Sequence, residues 1–122
     1  CSADAGEDAA ARLAAADPAV RRLLADADAA MAAGALAEAG VKLDEARALA
    51  PDSPDLWLAI ARLRLRGGEH LTAIEAADRA LAIAPDHAPA LLLRALTVRD
   101  AHGAAEALVW FEAARKADPD NP

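Results

Sequence analysis

The sequence predicts an all-α protein assembled from pairs of helices that recur at a fixed spacing along the chain. Hydrophobic residues make up 56% of the 122 residues, aromatic residues make up 2%, and alanine is abundant throughout. Alanine is the strongest helix former. A core filled by its methyl groups requires backbones that approach closely, as packed helices do. Pro51, Pro85 and Pro119 are each followed by aspartate, and successive prolines of this set are 34 residues apart.

Other residue types follow the same spacing, which makes coincidence a poor explanation. A sequence period of 20 to 50 residues is the signature of repeat proteins, in which stacked units bury a shared core. The matched positions are the leucines Leu24, Leu58 and Leu92; the glycines Gly34 and Gly68, with Gly103 one place late; and three rows of alanine, namely Ala27, Ala61 and Ala95, Ala39, Ala73 and Ala107, and Ala46, Ala80 and Ala114.

The spacing divides the chain into a tether, a short leading segment and a repeat domain. Residues 1–6 are predicted to be a flexible N-terminal tether, and residues 7–17 a short N-terminal helical segment. The repeat domain covers residues 18–122, in units of about 18–53, 54–87 and 88–122.

The middle unit carries the clearest helix boundaries. Ser53-Pro54 is typical of a helix start, because serine caps the first turn and proline is tolerated at the first helical position. Gly67-Gly68 ends this helix, since glycine readily adopts the left-handed conformation of a C-terminal cap. The second helix is predicted from about Leu71 to Ala84, where Pro85 stops it.

The outer units repeat this plan. In the first unit, Asp17-Pro18 opens a helix that Gly34 ends, and the second helix stops at Pro51. In the last unit, Pro89 opens a helix, His102-Gly103 ends it, and residues 104–117 form its partner. The chain ends on Asp120-Asn121-Pro122, where the repeat pattern would begin another helix. We expect either that the C-terminus is truncated or that the exposed face of the last hairpin binds a partner.

The repeat resembles that of the tetratricopeptide repeat (TPR) family. That pattern is Trp-x2-Leu-Gly-x2-Tyr, then Ala-x3-Phe, then Ala and Pro, within 34 residues. The middle unit carries Trp57-x2-Ile60-Ala61, and the last carries Ala107-x3-Phe111. Asp26 and Arg94 replace the first leucine in the outer units, where the charges are expected to loosen the packing or to reach past the helix surface. The resemblance implies a TPR solenoid of three helix-turn-helix repeats.

The resemblance also implies a binding groove along the first helix of each unit. Its leucines, flanked by arginines, would suit an apolar peptide or helix that carries an acidic residue. The alternative is that these leucines only pack between neighbouring hairpins. The groove positions are Leu24, Asp28, Met31, Leu58, Arg62, Leu65, Arg66, Leu92, Leu96 and Arg99, with Arg21, Asp55 and Asp100 beside them.

Arginine alternates through Arg62, Arg64 and Arg66, the one basic run of the chain. Arg62 and Arg66 lie one helical turn apart on a shared face. Two interpretations remain open: a solvated cluster that complements the helix dipole, or a set of cations that meets a partner's carboxylates.

The composition argues against several other functions. The net charge of −7, with the acidic residues scattered, is opposite to the basic surface that nucleic acid requires. No glycine-rich phosphate loop or nucleophile-elbow motif is present. The histidines are expected to stand alone in turns, at His70, His87 and His102. We therefore predict no enzyme activity, no cofactor, no metal site and no small-molecule substrate.

The single cysteine is the first residue, Cys1, and it is followed by the small, polar stretch Ser2 to Gly6. This start resembles that of a mature bacterial lipoprotein, in which the first cysteine carries the lipid. Ser2 stands where an aspartate would retain the protein in the inner membrane, so the resemblance implies the outer membrane, facing the periplasm. The alternative is a fragment boundary that happens to fall on a cysteine.

The functional hypothesis is a lipid-anchored protein–protein interaction scaffold of the bacterial envelope. By analogy of layout, it would assist the assembly of a multiprotein complex such as a pilus or a secretion system. Two alternatives remain: a structural accessory subunit of a larger envelope complex, or a cytosolic TPR adaptor fragment.

Overall fold

The computed structural model describes residues 18–119, which form six α-helices and no strand. The predicted tether, the predicted segment 7–17 and residues 120–122 lie outside the described residues, as does Cys1. The predicted bounds of the last helix match those observed, and the second helix of the middle unit begins and ends one residue earlier than predicted. The helices are α1 (residues 18–32), α2 (Leu36–Leu49), α3 (Pro54–Arg66), α4 (His70–Ile83), α5 (Ala88–His102) and α6 (Ala104–Ala117).

Side-chain caps start α3 and α5, the first helices of the middle and last hairpins. At α3, the Ser53 hydroxyl accepts the backbone N–H of Leu56 at 3.3 Å, and Pro54 is the first helical residue, as the sequence predicts. At α5, the cap is His87, whose Nδ1 accepts the backbone N–H of Ala90 at 3.2 Å. Each cap satisfies one of the backbone donors that a helix start leaves unpaired.

Glycines with positive φ end α1, α3 and α5, but not in the same way. After α3, Gly68 has φ +77°, and the N–H groups of Gly68 and Glu69 donate to the carbonyls of Leu65 and Arg64. This pair of bonds is the Schellman motif. Gly103 instead has φ 94° and ψ 170°, and α6 begins at the very next residue. The glycine that falls one place late in the sequence thus ends α5, which has 15 residues against 13 in α3, and makes a tighter turn.

Two of the three alanine rows lie where the helices of each hairpin approach closely. Ala27, Ala61 and Ala95 on the first helices are fully buried, and so are Ala39, Ala73 and Ala107 on the second helices. A larger side chain at any of these positions would push the paired backbones apart, because interiors are close-packed. This confirms the sequence expectation that alanine permits the close helix packing.

Contacts divide the chain into two compact units, one ending at Pro51 and one beginning at Asp52. The described part of the first unit consists of α1 and α2. In the second unit, α4 packs against both α3 and α5, and α5 packs against α6. No helix in residues 18–119 is long and apolar enough to cross a membrane.

Arg94 is built into the second unit by contacts with two neighbouring helices. Its Nε donates to Asp78 Oδ1 of α4 at 2.9 Å, and its guanidinium lies 4.9 Å from the ring centroid of Trp110 on α6. A second arginine, Arg79, lies 4.6 Å over the ring of Trp57. Such contacts contribute about 0.5–1 kcal/mol each at exposed sites. Arg94 thus joins three helices where the family pattern has a leucine.

Candidate protein-binding surface

A cleft of about 970 Å³ opens in the second unit, between the end of α3, the first half of α5 and the last half of α6. Its walls are largely apolar. All of its lining residues belong to the second unit: Arg62, Leu65, Ala88, Pro89, Leu92, Leu93, Leu96, Phe111, Ala114, Arg115, Asp118 and Pro119.

Helical spacing explains how each wall presents its apolar residues to the cleft. On α5, Leu92 and Leu96 are four residues apart and therefore lie one turn apart on the same face. On α6, Phe111 and Arg115 have the same spacing, with Ala114 between them. Leu92 keeps 41% of its surface exposed.

Three charged residues line the cleft, and their balance is positive. Arg62 and Arg115 are both exposed, and within residues 18–119 neither has an ion-pair or hydrogen-bond partner. Asp118, directly after α6, supplies the one carboxylate. The cleft therefore offers an apolar surface with two available guanidinium groups on a chain whose net charge is −7.

The structure brings four of the predicted groove residues together in this cleft: Arg62, Leu65, Leu92 and Leu96. Leu58 is 5% exposed and is a core residue of the second unit, although it occupies the repeat position of Leu92. The arginines Arg66 and Arg99 are exposed but do not line the cleft. In the first unit, Met31 is buried, Leu24 is half-buried and Asp28 is exposed.

The side of the cleft formed by α6 was missed at the sequence level, because only first helices were considered. Phe111, Ala114 and Arg115 come from a second helix. A signal did exist: the period aligns Phe111 with Ala77, so one aromatic ring replaces a methyl group at an equivalent position. Phe111 is also the residue that the family pattern Ala-x3-Phe expects at this position, so the pattern marks an aromatic side chain on α6.

The basic run at the end of α3 separates into residues with different roles. An Arg64 guanidinium nitrogen lies 3.6 Å from Glu69 Oε2 in the turn after the helix, and Arg66 also has an interaction partner within the protein. Arg64 and Arg66 occupy the last turn of α3, where positive charge complements the helix dipole. Of the three arginines, Arg62 is the one available to a ligand.

The expectation that each histidine stands alone in a turn is wrong. His70 is the first residue of α4, and His102 is the last residue of α5, with its Nδ1 3.9 Å from Glu106 Oε2. The more extensive contacts are those of His87. Its Nε2 lies 2.8 Å from Asp55 Oδ1 at the start of α3, while its Nδ1 accepts a backbone N–H. The proton therefore resides on Nε2 and is donated to Asp55, since Nδ1 serves as an acceptor. The His87–Asp55 pair therefore links the starts of α3 and α5. Because both ring nitrogens of His87 are hydrogen-bonded, neither is available to accept a proton from a substrate. Within residues 18–119, no cluster of three or more His, Cys, Asp or Glu side chains is arranged to hold a metal ion.

An all-α chain of helical hairpins with an open apolar cleft has the features of a protein-interaction domain built from helical repeats. This chain belongs to the tetratricopeptide repeat family, whose model matches residues 30–96, more than half of the chain. The family assignment and the all-α TPR fold predicted from the sequence are thereby confirmed. TPR domains are typically non-catalytic modules that bind other proteins.

The chain is also similar to a solved structure, the globular C-terminal domain of P. aeruginosa LpoP. The two share 26% sequence identity with a TM-score of 0.70, over 79% of this chain and 94% of that domain. Forty-five solved chains match in all, so the fold is common and does not by itself specify a partner. No curated protein matches the sequence.

Proposed function

We propose that this chain is a non-catalytic interaction scaffold, anchored in the bacterial envelope by a lipid on Cys1. In this role it assists the assembly of a multiprotein complex such as a pilus or a secretion system. The observation that carries the proposal is the open apolar cleft with its two unpaired arginines, on a fold whose members bind proteins.

The envelope location rests on two supporting observations. The first is Cys1 followed by the small, polar residues Ser2 to Gly6, the layout of a lipid-anchored tether. The second is the similarity to a bacterial domain that is itself C-terminal, and so comes after an N-terminal portion of its own protein. Several acyl chains on one residue hold a domain stably at a membrane. The proposed site is the outer membrane, with the domain facing the periplasm.

The binding surface in this proposal extends beyond the cleft. In the second unit the proposed surface adds the groove position Arg99, which is exposed and whose Nε lies 3.8 Å from Asp100 Oδ1. Asp28, exposed in the first unit, is a groove position of that unit by itself. Leu58 is too buried to touch a partner without rearrangement, so a binding test should change Leu92 instead.

Mass spectrometry of the N-terminal peptide from native membranes tests the anchor. We expect the mass increments of a diacylglyceryl group and an amide-linked acyl chain on Cys1. An unmodified cysteine in that peptide would exclude the lipid anchor.

Chemical crosslinking in the same membranes tests the scaffold role. We expect the wild-type protein to crosslink to subunits of one envelope assembly. Recovery of no specific partner from any surface of the domain would contradict the scaffold.

A further inference from the structure

We infer that the cleft between α3, α5 and α6 binds an amphipathic helix of a partner protein. The helix would lie along α5 and α6, in the arrangement that α5 takes against α4 in the preceding hairpin. Its apolar stripe would contact Leu92, Leu96 and Phe111, and its flanking carboxylates would meet Arg62 and Arg115. This inference deepens the proposed function and rests on it.

The chain itself shows what shape fits this surface. In the middle hairpin, α4 packs against α5, the first helix of the next hairpin, and Ala77 and Ala80 on α4 are fully buried. The equivalent residues of α6 are Phe111 and Ala114, which are only partly buried. Among the described helices, α6 has its extensive contact with α5. Within residues 18–119 this part of α6 is thus less covered than its equivalent on α4, which packs against two helices.

One side chain of the cleft, that of Phe111, is larger than its equivalent in the preceding hairpin. Phe111 replaces Ala77, and Leu108, 55% exposed, lies one turn before it on the same face of α6. Leu92 repeats Leu58 but keeps 41% of its surface exposed. A helix with leucines at i, i+3, i+4 and i+7 would bury this surface, as amphipathic helices do in apolar grooves.

The charges select an acidic helix. Arg62 and Arg115 flank the apolar surface, and neither has a counter-ion within residues 18–119. Arginine binds carboxylates through two parallel hydrogen bonds, and covering the cleft would strengthen such pairs by excluding water. Asp118 leaves the cleft with a positive balance, since it offsets one of the two arginines.

A second copy of this chain is a poorer occupant. Each copy carries a net charge of −7, so two copies repel each other. A contact between this cleft and a different surface of another copy would be heterologous, and it would continue into an open filament unless it closed into a ring. We therefore assign the cleft to a foreign helix, and self-association is a measured outcome of the test.

The test uses the whole chain and two synthetic helical peptides, each 15 residues long like α5. Both are alanine-based and carry leucines at i, i+3, i+4 and i+7. One has glutamates beside the leucine stripe, and the other has lysines at the same places. Binding is measured by fluorescence anisotropy, and the site is mapped by NMR shifts in the isotope-labelled protein.

The expected result is saturable binding of the glutamate peptide, with shifts confined to the cleft residues of α5 and α6. Leu92→Asp should weaken binding by about tenfold or more, as for a central contact residue. The double change Arg62→Ala and Arg115→Ala should weaken it several-fold and flatten its salt dependence. The matched control is Val109→Asp, which should bind as the wild type does. Val109 is 65% exposed on the opposite face of α6.

Three outcomes would overturn the inference: equal binding of the lysine peptide, equal loss of affinity in Val109→Asp, or shifts that map outside the cleft. A concentration-dependent dimer that Leu92→Asp abolishes would also overturn it in favour of a second copy. These results are independent of the membrane experiments. If the protein still crosslinks to partners in native membranes but neither peptide binds at the cleft, the scaffold role is retained and the helix-binding site is rejected.

Discussion

The middle and last hairpins of the second unit carry equivalent positions but bury them differently. Leu58 on α3 is 5% exposed, whereas Leu92, its equivalent on α5, is 41% exposed. Ala80 on α4 is fully buried, whereas Ala114 on α6 is only partly buried. In a repeat protein each unit contacts its neighbours, so the burial of a residue depends on the neighbouring units as well as on its own unit. The comparison separates positions that stabilise the fold from positions that are available to a partner.

The largest expected effect comes from shortening the paired leucines. Leu58→Ala should reduce the free energy of unfolding by about 2–4 kcal/mol, because it removes buried methyl groups and leaves a cavity. Leu92→Ala should cost no more than about 1 kcal/mol, since much of that side chain already contacts water. Urea unfolding of both variants measures the difference. Equal losses at the two positions would mean that the hairpins do not differ as described.

Enlarging the paired alanines gives the converse test. Ala80→Leu should cost roughly 1–3 kcal/mol, because a fully buried position on α4 has no room for three more carbons. Ala114→Leu should change stability by no more than about 0.5 kcal/mol, as is usual away from a packed core. The measurement is the urea midpoint of each variant. A larger loss for Ala114→Leu would show that the cleft is closed in solution.

The glycine turns of the two hairpins should respond differently to substitution. Gly103→Ala should cost about 1–3 kcal/mol, because φ 94° with ψ 170° is a region open essentially to glycine alone. Gly68→Ala should cost about 1–2 kcal/mol, as for a left-handed residue. Asparagine provides the control, since it is accepted at left-handed helix ends. In thermal unfolding, Gly68→Asn should be more stable than Gly68→Ala. At position 103, the asparagine and alanine variants should be equally destabilised.

The smallest expected effect concerns the cap at the start of α5. His87→Ala should lower the unfolding free energy by about 1 kcal/mol, the usual value of a helix N-cap. His87→Asn should retain much of this stability, because asparagine caps well and loses only the contact with Asp55. Ser53→Ala is the matched change at the start of α3. Chemical denaturation compares the three, and equal losses for His87→Ala and His87→Asn would show that the Asp55 contact, not the cap, is the source of stability.

The sequence by itself determined the helices, their boundaries and the family. Proline, glycine and capping residues act on their own few neighbours, so Ser53-Pro54, Gly67-Gly68 and the residues around Pro85 could be interpreted without a structure. The buried alanine rows could also be predicted from the sequence, because a 34-residue period identifies equivalent positions in each hairpin. The late position of Gly103 was visible too, although its unusual ψ was not.

Only the tertiary structure decided which of the equivalent residues are exposed and which side chains meet. Leu58 and Leu92 are the same amino acid at the same repeat position, so no local rule distinguishes them. The pairing of His87 with Asp55, 32 residues away, and the contacts of Arg94 with Asp78 and Trp110 depend on how the helices pack. The cleft combines residues of three helices, and its exposure depends on which surfaces neighbouring helices cover. Burial and long-range contacts are properties of packed surfaces, whereas helix boundaries are properties of short segments.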